Sequence, residues 1–220
     1  MSCALRAADH GLQVVLLTNL PSLVEGSNTS YAQGGIIYRA PEGDSPERLL
    51  QDIETAGAGL VYRPAAEQLA RRGPELVEKY LIGRLGVPFD RACDGALDIT
   101  EEAAHSLPRI LHVKDLTGRA ISQSMTKAVE NHPNIQLVKR ATAVDLLMLS
   151  HHSQDPLDVY KPPTCVGAYV LHQETGEVEP CLARETVLAT GGLGQIYLHT
   201  TNPPVARGDE IAFFPPVPGG

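Results

Sequence analysis

The sequence predicts an α/β fold with a doubly wound, Rossmann-like sheet, and three observations predict it. A helical segment, residues 2–10, closes at Gly11 and leads into the apolar run Gln13–Leu17. Continuous aliphatic residues over such a short length are typical of a buried strand. A second run of this kind, Thr186–Thr190, ends at a glycine pair. The chain is 43% hydrophobic over 220 residues, which is enough to bury a core, so we expect a Rossmann-like sheet.

The remaining elements follow from caps, apolar spacing and turn residues. Ser45 and Pro46 suit the N-cap and first position of a helix. The predicted helices are 45–58, 64–85 with a break near 73–74, 117–131, and a helix that starts at 209–212. The predicted strands are 135–140, 143–149, and a hairpin of 165–172 with 177–183 around the turn 174–176. Residues 150–163 are polar and contain proline, and are predicted to form a loop.

Composition excludes several classes of function. The formal net charge is −8 and the chain lacks Trp, which argues against a nucleic-acid-binding surface and against binding to anionic membranes. The four cysteines are scattered without a C-x-x-C pair, so neither a metal site nor a redox pair is expected. No apolar run reaches the roughly 20 residues of a membrane span. These features fit a cytosolic protein, or one whose targeting segment lies outside this sequence.

The segment Ser27–Gly35 reads Ser-Asn-Thr-Ser-Tyr-Ala-Gln-Gly-Gly and is the most informative stretch. It begins roughly ten residues after the predicted strand Gln13–Leu17, where open α/β sheets bind their ligands. Glycine allows the main chain to approach a flat ligand closely. A glycine-rich surface turn is the alternative interpretation.

This segment resembles the flavin-contacting loop of the fumarate reductase and L-aspartate oxidase flavoprotein family. The resemblance implies FAD as cofactor, contacted by Ser27, Asn28, Thr29, Ser30, Tyr31, Ala32, Gln33, Gly34 and Gly35. Membrane-bound members carry a histidine at the position of Asn28, and that histidine bonds covalently to the flavin. Asn28 lacks an imidazole nucleophile, so we expect noncovalent FAD and the soluble, aspartate-oxidising branch of the family.

A second group of motifs matches the same family in order along the chain. Residues 100–106 read Thr-Glu-Glu-Ala-Ala-His-Ser, and Arg-Ile-Leu-His and Asp-x-Thr-Gly follow at 109–112 and 115–118. By resemblance, the Glu102 carboxylate orients the amino-acid substrate, and a carboxylate suits an ammonium group because the hydrogen bond is charge-assisted. The family has two glycines where this chain has Ala103-Ala104. A solvated glutamate at a helix end is the alternative interpretation of Glu102.

The resemblance implies further cofactor contacts outside these two regions. They are Thr18, Asn19, Thr142, Ala143, Thr190, Gly191, Gly192 and Asp209. At Thr18-Asn19 the family usually has Ser-Lys, so a cation is missing there, and an ordinary strand-end turn is the alternative. Glu210 replaces a family glycine beside Asp209.

The resemblance also implies a reaction and its partners. L-aspartate is oxidised to iminosuccinate for NAD biosynthesis, oxygen or fumarate accepts the electrons, and a functional link to quinolinate synthase is expected. The alternatives are a fumarate reductase or succinate dehydrogenase flavoprotein fragment, and a noncatalytic remnant of the flavin fold.

The sequence lacks an opening strand with the G-x-G-x-x-G loop that holds a dinucleotide pyrophosphate. We therefore expect an incomplete FAD-binding domain over residues 1–212 and an atypical Pro/Gly-rich tail over 213–220. The strands at 13–17 and 186–190 would then lack their shared neighbour. From this we expect a truncated product or a gene-model fragment that binds FAD weakly at best and does not oxidise L-aspartate.

Overall fold

The computed structural model describes residues 1–25, 27–192, 199 and 210–214, with the backbone alone for 151–152 and 210–214. Its helices are α1 (Ser2–Asp9), α2 (Pro46–Gly57), α3 (Arg63–Leu76) and α4 (Thr117–Glu130). Its strands are β1 (Val14–Thr18), β2 (Ile36–Ile37), β3 (Ile99–Thr100), β4 (Ile110–Leu111), β5 (Ile135–Val138), β6 (Ala141–Met148), β7 (Cys165–His172), β8 (Val178–Leu182), β9 (Glu185–Leu188) and β10 (Glu210–Phe214). The chain forms two compact units, residues 1–28 with 125–220 (the first unit) and residues 29–124 (the second unit).

The first unit contains a four-stranded sheet in the order β5-β1-β10-β9. Strand β1 pairs in parallel with β5, as a doubly wound sheet requires. The side chains of Val14, Leu16, Leu17 and Thr18 are buried, which confirms the prediction of a buried strand. Helix α1 precedes β1, and Gly11 between them adopts a positive φ of 81°, the conformation expected just after a helix end.

Strand β10 lies between β1 and β9 and is antiparallel to both. Two predictions were therefore wrong. Residues 210–212 form a strand where a helix start was expected, and β1 and β9 do share a neighbour. The physical reason is that backbone N–H and C=O groups along the edges of these two strands gain partners when another segment pairs with them.

The first unit also contains an antiparallel sheet in the order β6-β7-β8. The predicted hairpin is confirmed by the pairing of β7 with β8 and by Gly176 at φ 74° in its turn. This sheet packs a small core that includes Leu17 of β1 together with Ala141, Ala168 and Val170. The hairpin therefore lies against the strand that precedes the predicted ligand segment.

The second unit combines helices α2 and α3 with a short sheet in the order β2-β4-β3. Ser45 caps α2 as predicted, because its Oγ accepts the N–H of Arg48 at 3.2 Å. One cluster of buried residues, with Leu49, Leu50, Ala66 and Ala70, joins α2 to α3. A second cluster surrounds Leu111 of β4.

Three other expectations needed correction. The helix does not break near residues 73–74. Instead, α3 runs to Leu76 and π-helical turns continue over Val77–Arg84. The loop 150–163 contains 3₁₀ turns at Leu149–His152 and Pro156–Tyr160. Strand β9 is not fully buried, and the side chain of Leu188 is 55% exposed. In the part of the chain that the structure describes, no helix combines the length and the apolar character needed to cross a membrane.

Candidate functional site

The predicted flavin segment forms a 3₁₀ turn over Asn28–Tyr31 and then extends into β2. Its residues from Tyr31 to Gly35 are exposed. The turn is closed by the N–H of Ala32, which donates to the carbonyl of Thr29 at 3.1 Å. This arrangement presents hydroxyl, amide and backbone groups together on one short exposed stretch.

Gly118, the second residue of α4, packs against this turn. Its N–H donates to the carbonyl oxygen of Ala32 at 3.0 Å. A Cβ atom at Gly118 would lie 1.8 Å from the carbonyl oxygen of Thr29 and 2.8 Å from the Cβ of Ala32. Only a glycine therefore allows α4 and the turn to approach this closely. Its place in the Asp-x-Thr-Gly motif was the sequence signal, but the contact itself could not be seen there.

Glu102 contacts the end of the predicted flavin segment. Its Oε1 accepts the N–H of Gly35 at 3.1 Å, and a Cβ atom at Gly34 would lie 3.7 Å from the same oxygen. Gly35 itself has no room for a side chain, since its Cβ would lie 2.0 Å from Cγ2 of Ile110 and 2.5 Å from the carbonyl oxygen of Leu111. The structure thus brings the predicted substrate carboxylate to the predicted flavin segment.

A buried arginine contacts His105, in the segment that carries Glu102, and sequence reasoning missed its role. The side chain of Arg109 is fully buried. Its Nε and Nη2 donate to the two oxygens of Asp44 at 3.2 and 2.9 Å, and its Nη1 bonds Asp52. Nη1 also lies 3.3 Å from Nδ1 of His105; since a guanidinium can only donate, Nδ1 accepts there. The motif Arg-Ile-Leu-His contained this arginine, but its two carboxylate partners are more than fifty residues away in sequence.

Asp52, on α2, ties this network to the segment that carries Glu102. Its Oδ2 accepts both the N–H and the hydroxyl of Ser106, each at 3.0 Å. Desolvation opposes ionisation of Asp52, but the backbone bond from Ser106, the guanidinium of Arg109 and the Ser106 hydroxyl together hold its pKa below the usual range. Asp52 is therefore an ionised acceptor with three fixed donors.

Residues Glu102 to His105 form a tight turn in which the N–H of His105 donates to the carbonyl of Glu102 at 3.2 Å. Ala104 within this turn has a φ of 67°. An L-residue with a Cβ is strained in this left-handed region, by roughly 1–2 kcal/mol. The glycine that the resemblance places here would not be strained.

We expect Ala104→Gly to stabilise the chain by about 0.5–1 kcal/mol, because relief of the left-handed strain exceeds the extra chain entropy of glycine. Urea denaturation monitored by circular dichroism measures this effect. The matched control is Ala103→Gly, since Ala103 does not have a positive φ; this change should destabilise slightly. Equal effects of the two substitutions would contradict the strain argument.

In the first unit, the structure brings together two of the predicted cofactor residues at the end of β1. The Nε2 of Gln173 donates to the carbonyl of Asn19 at 3.0 Å and to the hydroxyl of Thr142 at 2.9 Å. Sequence reasoning missed Gln173, because a polar residue beside a hairpin turn carries no motif. The Thr18 side chain is buried and its hydroxyl accepts the N–H of Leu20, so that hydroxyl serves the local turn.

The structure also places Gly192 near Asn28, because a Cβ at Gly192 would lie 3.9 Å from Nδ2 of Asn28. Gly191 has a φ of 70°, a conformation that favours glycine. Ala143 packs against the core beside Ala141, so only its backbone can serve a ligand. Three predicted cofactor residues remain, Ser27, Thr190 and Asp209. Ser27 lies near the carbonyl of Val24, Thr190 is half-buried, and Asp209 lies outside the described residues.

These residues fit an FAD isoalloxazine, whose edges carry nitrogen and oxygen atoms that need hydrogen-bond donors and acceptors. The exposed segment from Thr29 to Gly35 offers hydroxyls, a side-chain amide and backbone N–H groups. Gly34 leaves the main chain open to a ligand, because a Cβ added there would meet only Oε1 of Glu102 within 4 Å among the described residues. Residues 29–35 contain no charged side chain, and Glu102 is the one charged group described in contact with them, which suits a neutral ring.

Known proteins share substantial sequence identity with this chain. The chain is 38% identical over 209 residues to "L-aspartate oxidase 2-b, chloroplastic" of Nicotiana tabacum. This match covers 95% of this chain and 30% of that relative. The chain is 39% identical to an L-aspartate oxidase from Vibrio cholerae, covering 96% of this chain and 38% of the relative. The chain thus spans about a third of the length of these relatives.

Solved structures show the same fold at lower identity. Mycobacterium smegmatis Sdh1 in complex with UQ1 matches with a TM-score of 0.77 and 24% identity, over 92% of this chain and 34% of that one. A variant of the E. coli quinol fumarate reductase FrdA matches with a TM-score of 0.78 and 21% identity, over 93% of this chain and 32% of that one. The family model for the FAD binding domain matches residues 1–214. The chain therefore belongs to the FAD-binding domain family, and FAD is its cofactor.

Proposed function

We propose that this chain carries the flavin-ring side of an FAD-dependent L-aspartate oxidase, in which Glu102 orients the substrate. One observation carries the proposal: Glu102 Oε1 accepts the N–H of Gly35. This bond holds the carboxylate beside residues 27–35, the segment that by resemblance to the family contacts the flavin. The identity of 38–39% to proteins named L-aspartate oxidase supports the substrate.

The chemistry of Glu102 suits an amino acid better than a plain dicarboxylate. Its side chain is exposed, so a second oxygen can accept hydrogen bonds while Oε1 stays with Gly35. The ammonium group of L-aspartate would donate to that carboxylate, and charge-assisted bonds of this kind are roughly twice as strong as neutral ones. Succinate and fumarate carry no donor there, and their carboxylates would be repelled.

When bound, FAD supplies the hydride acceptor for oxidation at the α-carbon of L-aspartate. The part of this chain is to position the groups that react. Asn28 holds the place at which a histidine would attach the flavin covalently, and an amide cannot form that bond. We therefore propose noncovalent FAD, which acid precipitation of the protein would release into the supernatant.

The wider role belongs to the same proposal. The product iminosuccinate would enter NAD biosynthesis through quinolinate synthase, and oxygen or fumarate would reoxidise the flavin. A cytosolic location is proposed from the sequence composition alone.

The test is oxidation of L-aspartate by the gene product that contains these residues, with FAD added. Glu102→Gln should lower kcat/KM for L-aspartate roughly 10- to 100-fold, because a charged hydrogen bond contributes about 1.5–3 kcal/mol. The matched control is Glu101→Gln, an exposed neighbour, which should leave kcat/KM within about twofold. Reduction of fumarate without oxidation of L-aspartate would favour the fumarate reductase alternative, and loss of FAD binding in Glu102→Gln would show that Glu102 serves the cofactor instead.

The polypeptide of residues 1–220 by itself is proposed to bind FAD weakly and to lack turnover. A scan from 350 to 500 nm after gel filtration with FAD measures binding. A stoichiometric flavin spectrum combined with turnover of L-aspartate would overturn this part of the proposal.

A further inference from the structure

We propose that Asp52 is a positioning residue that sets the place of the Glu102 carboxylate, and with it the preference for an amino-acid substrate. This inference rests on the proposed role of Glu102. Asp52 lies on α2, far from Glu102 in sequence, and has no place in the motifs of the site. Its effect would be transmitted through the turn that joins Ser106 to Glu102.

The first step is a fixed anchor on α2. Asp52 is 12% exposed in its side chain and is paired with the fully buried Arg109. Arg109 is in turn held by both oxygens of Asp44. A planar guanidinium held in this way has little rotational freedom. Arg109 is therefore a rigid partner that fixes the position of Asp52.

The second step links this anchor to the turn. Oδ2 of Asp52 accepts from both the N–H and the Oγ of Ser106. Arg109 also contacts His105, which immediately precedes Ser106 in the sequence. Two consecutive residues of the turn are therefore held by the same buried ion pair.

The third step links the turn to the site. The N–H of His105 bonds the carbonyl of Glu102, and Glu102 Oε1 bonds the N–H of Gly35. The contacts thus run without a break from Asp52 through Ser106, His105 and Glu102 to Gly35. Because Ala104 is strained within this turn, release of Ser106 should let the turn relax and Glu102 move away from Gly35.

Amide hydrogen exchange of Gly35, measured by NMR in the 220-residue chain, tests this without FAD or substrate. Asp52→Asn should raise the exchange rate of the Gly35 amide at least threefold, because its protecting bond to Glu102 is weakened. Glu54→Gln is the matched control, since Glu54 lies on the same helix in an exposed pair with Arg63. The amide of Ala120, in the same unit, reports on global opening.

A double-mutant cycle separates positioning from general loosening. In the Glu102→Ala background, Asp52→Asn should cause no further change at Gly35, because the bond through which it acts is already gone. An equal effect in both backgrounds, or no effect in either, would overturn the inference. If Asp52→Asn also raises the exchange rate of the Ala120 amide, global opening contributes, and Ser106→Ala then takes the place of Asp52→Asn in the cycle. The same two outcomes at Gly35 support or overturn the inference. Failure here would leave the kinetic test of Glu102→Gln unaffected, so the two proposals can fail separately.

Discussion

Replacement of Arg109 by Met is expected to lower the free energy of unfolding of the second unit by about 3–5 kcal/mol. Removing one partner of a buried ion pair leaves charge in a site from which water is largely excluded. Arg109 is fully buried, and Asp44 and Asp52 are each 12% exposed in their side chains. The substitution would leave two neighbouring carboxylates without their shared cation. Methionine is shorter than arginine, but it is unbranched and flexible and fills the space of the arginine stem, so lost packing is the smaller part of the effect.

Urea denaturation followed by circular dichroism measures this change. The matched control is Arg63→Met, because Arg63 pairs with Glu54 and Glu67 while its own side chain is 58% exposed. Exposed ion pairs contribute about 0–1 kcal/mol, so this control should shift the unfolding midpoint very little. Similar losses for the two variants would show that Arg109 does not act through its buried pairs.

The second large effect is expected from Gly118→Ala, which should destabilise the chain by about 1–3 kcal/mol and weaken FAD binding. The new methyl group would lie 1.8 Å from the carbonyl oxygen of Thr29, and a backbone atom cannot move aside as a flexible side chain can. Relief requires α4 and the turn over Asn28–Tyr31 to separate, and such overpacking has a cost of this size. The separation would also break the bond from the Gly118 N–H to Ala32.

Thermal unfolding and quenching of flavin fluorescence on titration measure the two effects. Gly73→Ala is the matched control, because Gly73 also lies in a helix and its Cβ would meet only Leu69, at 3.9 Å, among the described residues. That control should stabilise slightly, since alanine favours helix over glycine. Unchanged stability of Gly118→Ala would show that the turn can retreat without strain.

The local signals in the sequence predicted most elements. Ser45 and Pro46 marked the start of α2 because a hydroxyl cap and a proline suit the first helical positions regardless of the rest of the fold. The hairpin of β7 and β8 followed from alternating residues around a glycine turn. Strand β10 could not be predicted, because it forms only by pairing with β1 and β9, which are remote in sequence.

The sequence by itself determined the family, the FAD cofactor and the candidate role of Glu102, because ordered motifs keep their spacing along the chain. Only the tertiary structure decided what holds that residue in place. Asp52, Arg109 and Gly118 act through contacts between segments that are distant in sequence, and such contacts leave no local pattern. Close packing and buried charge pairing arise only when the chain has folded, so their partners are found in space and not in the order of residues.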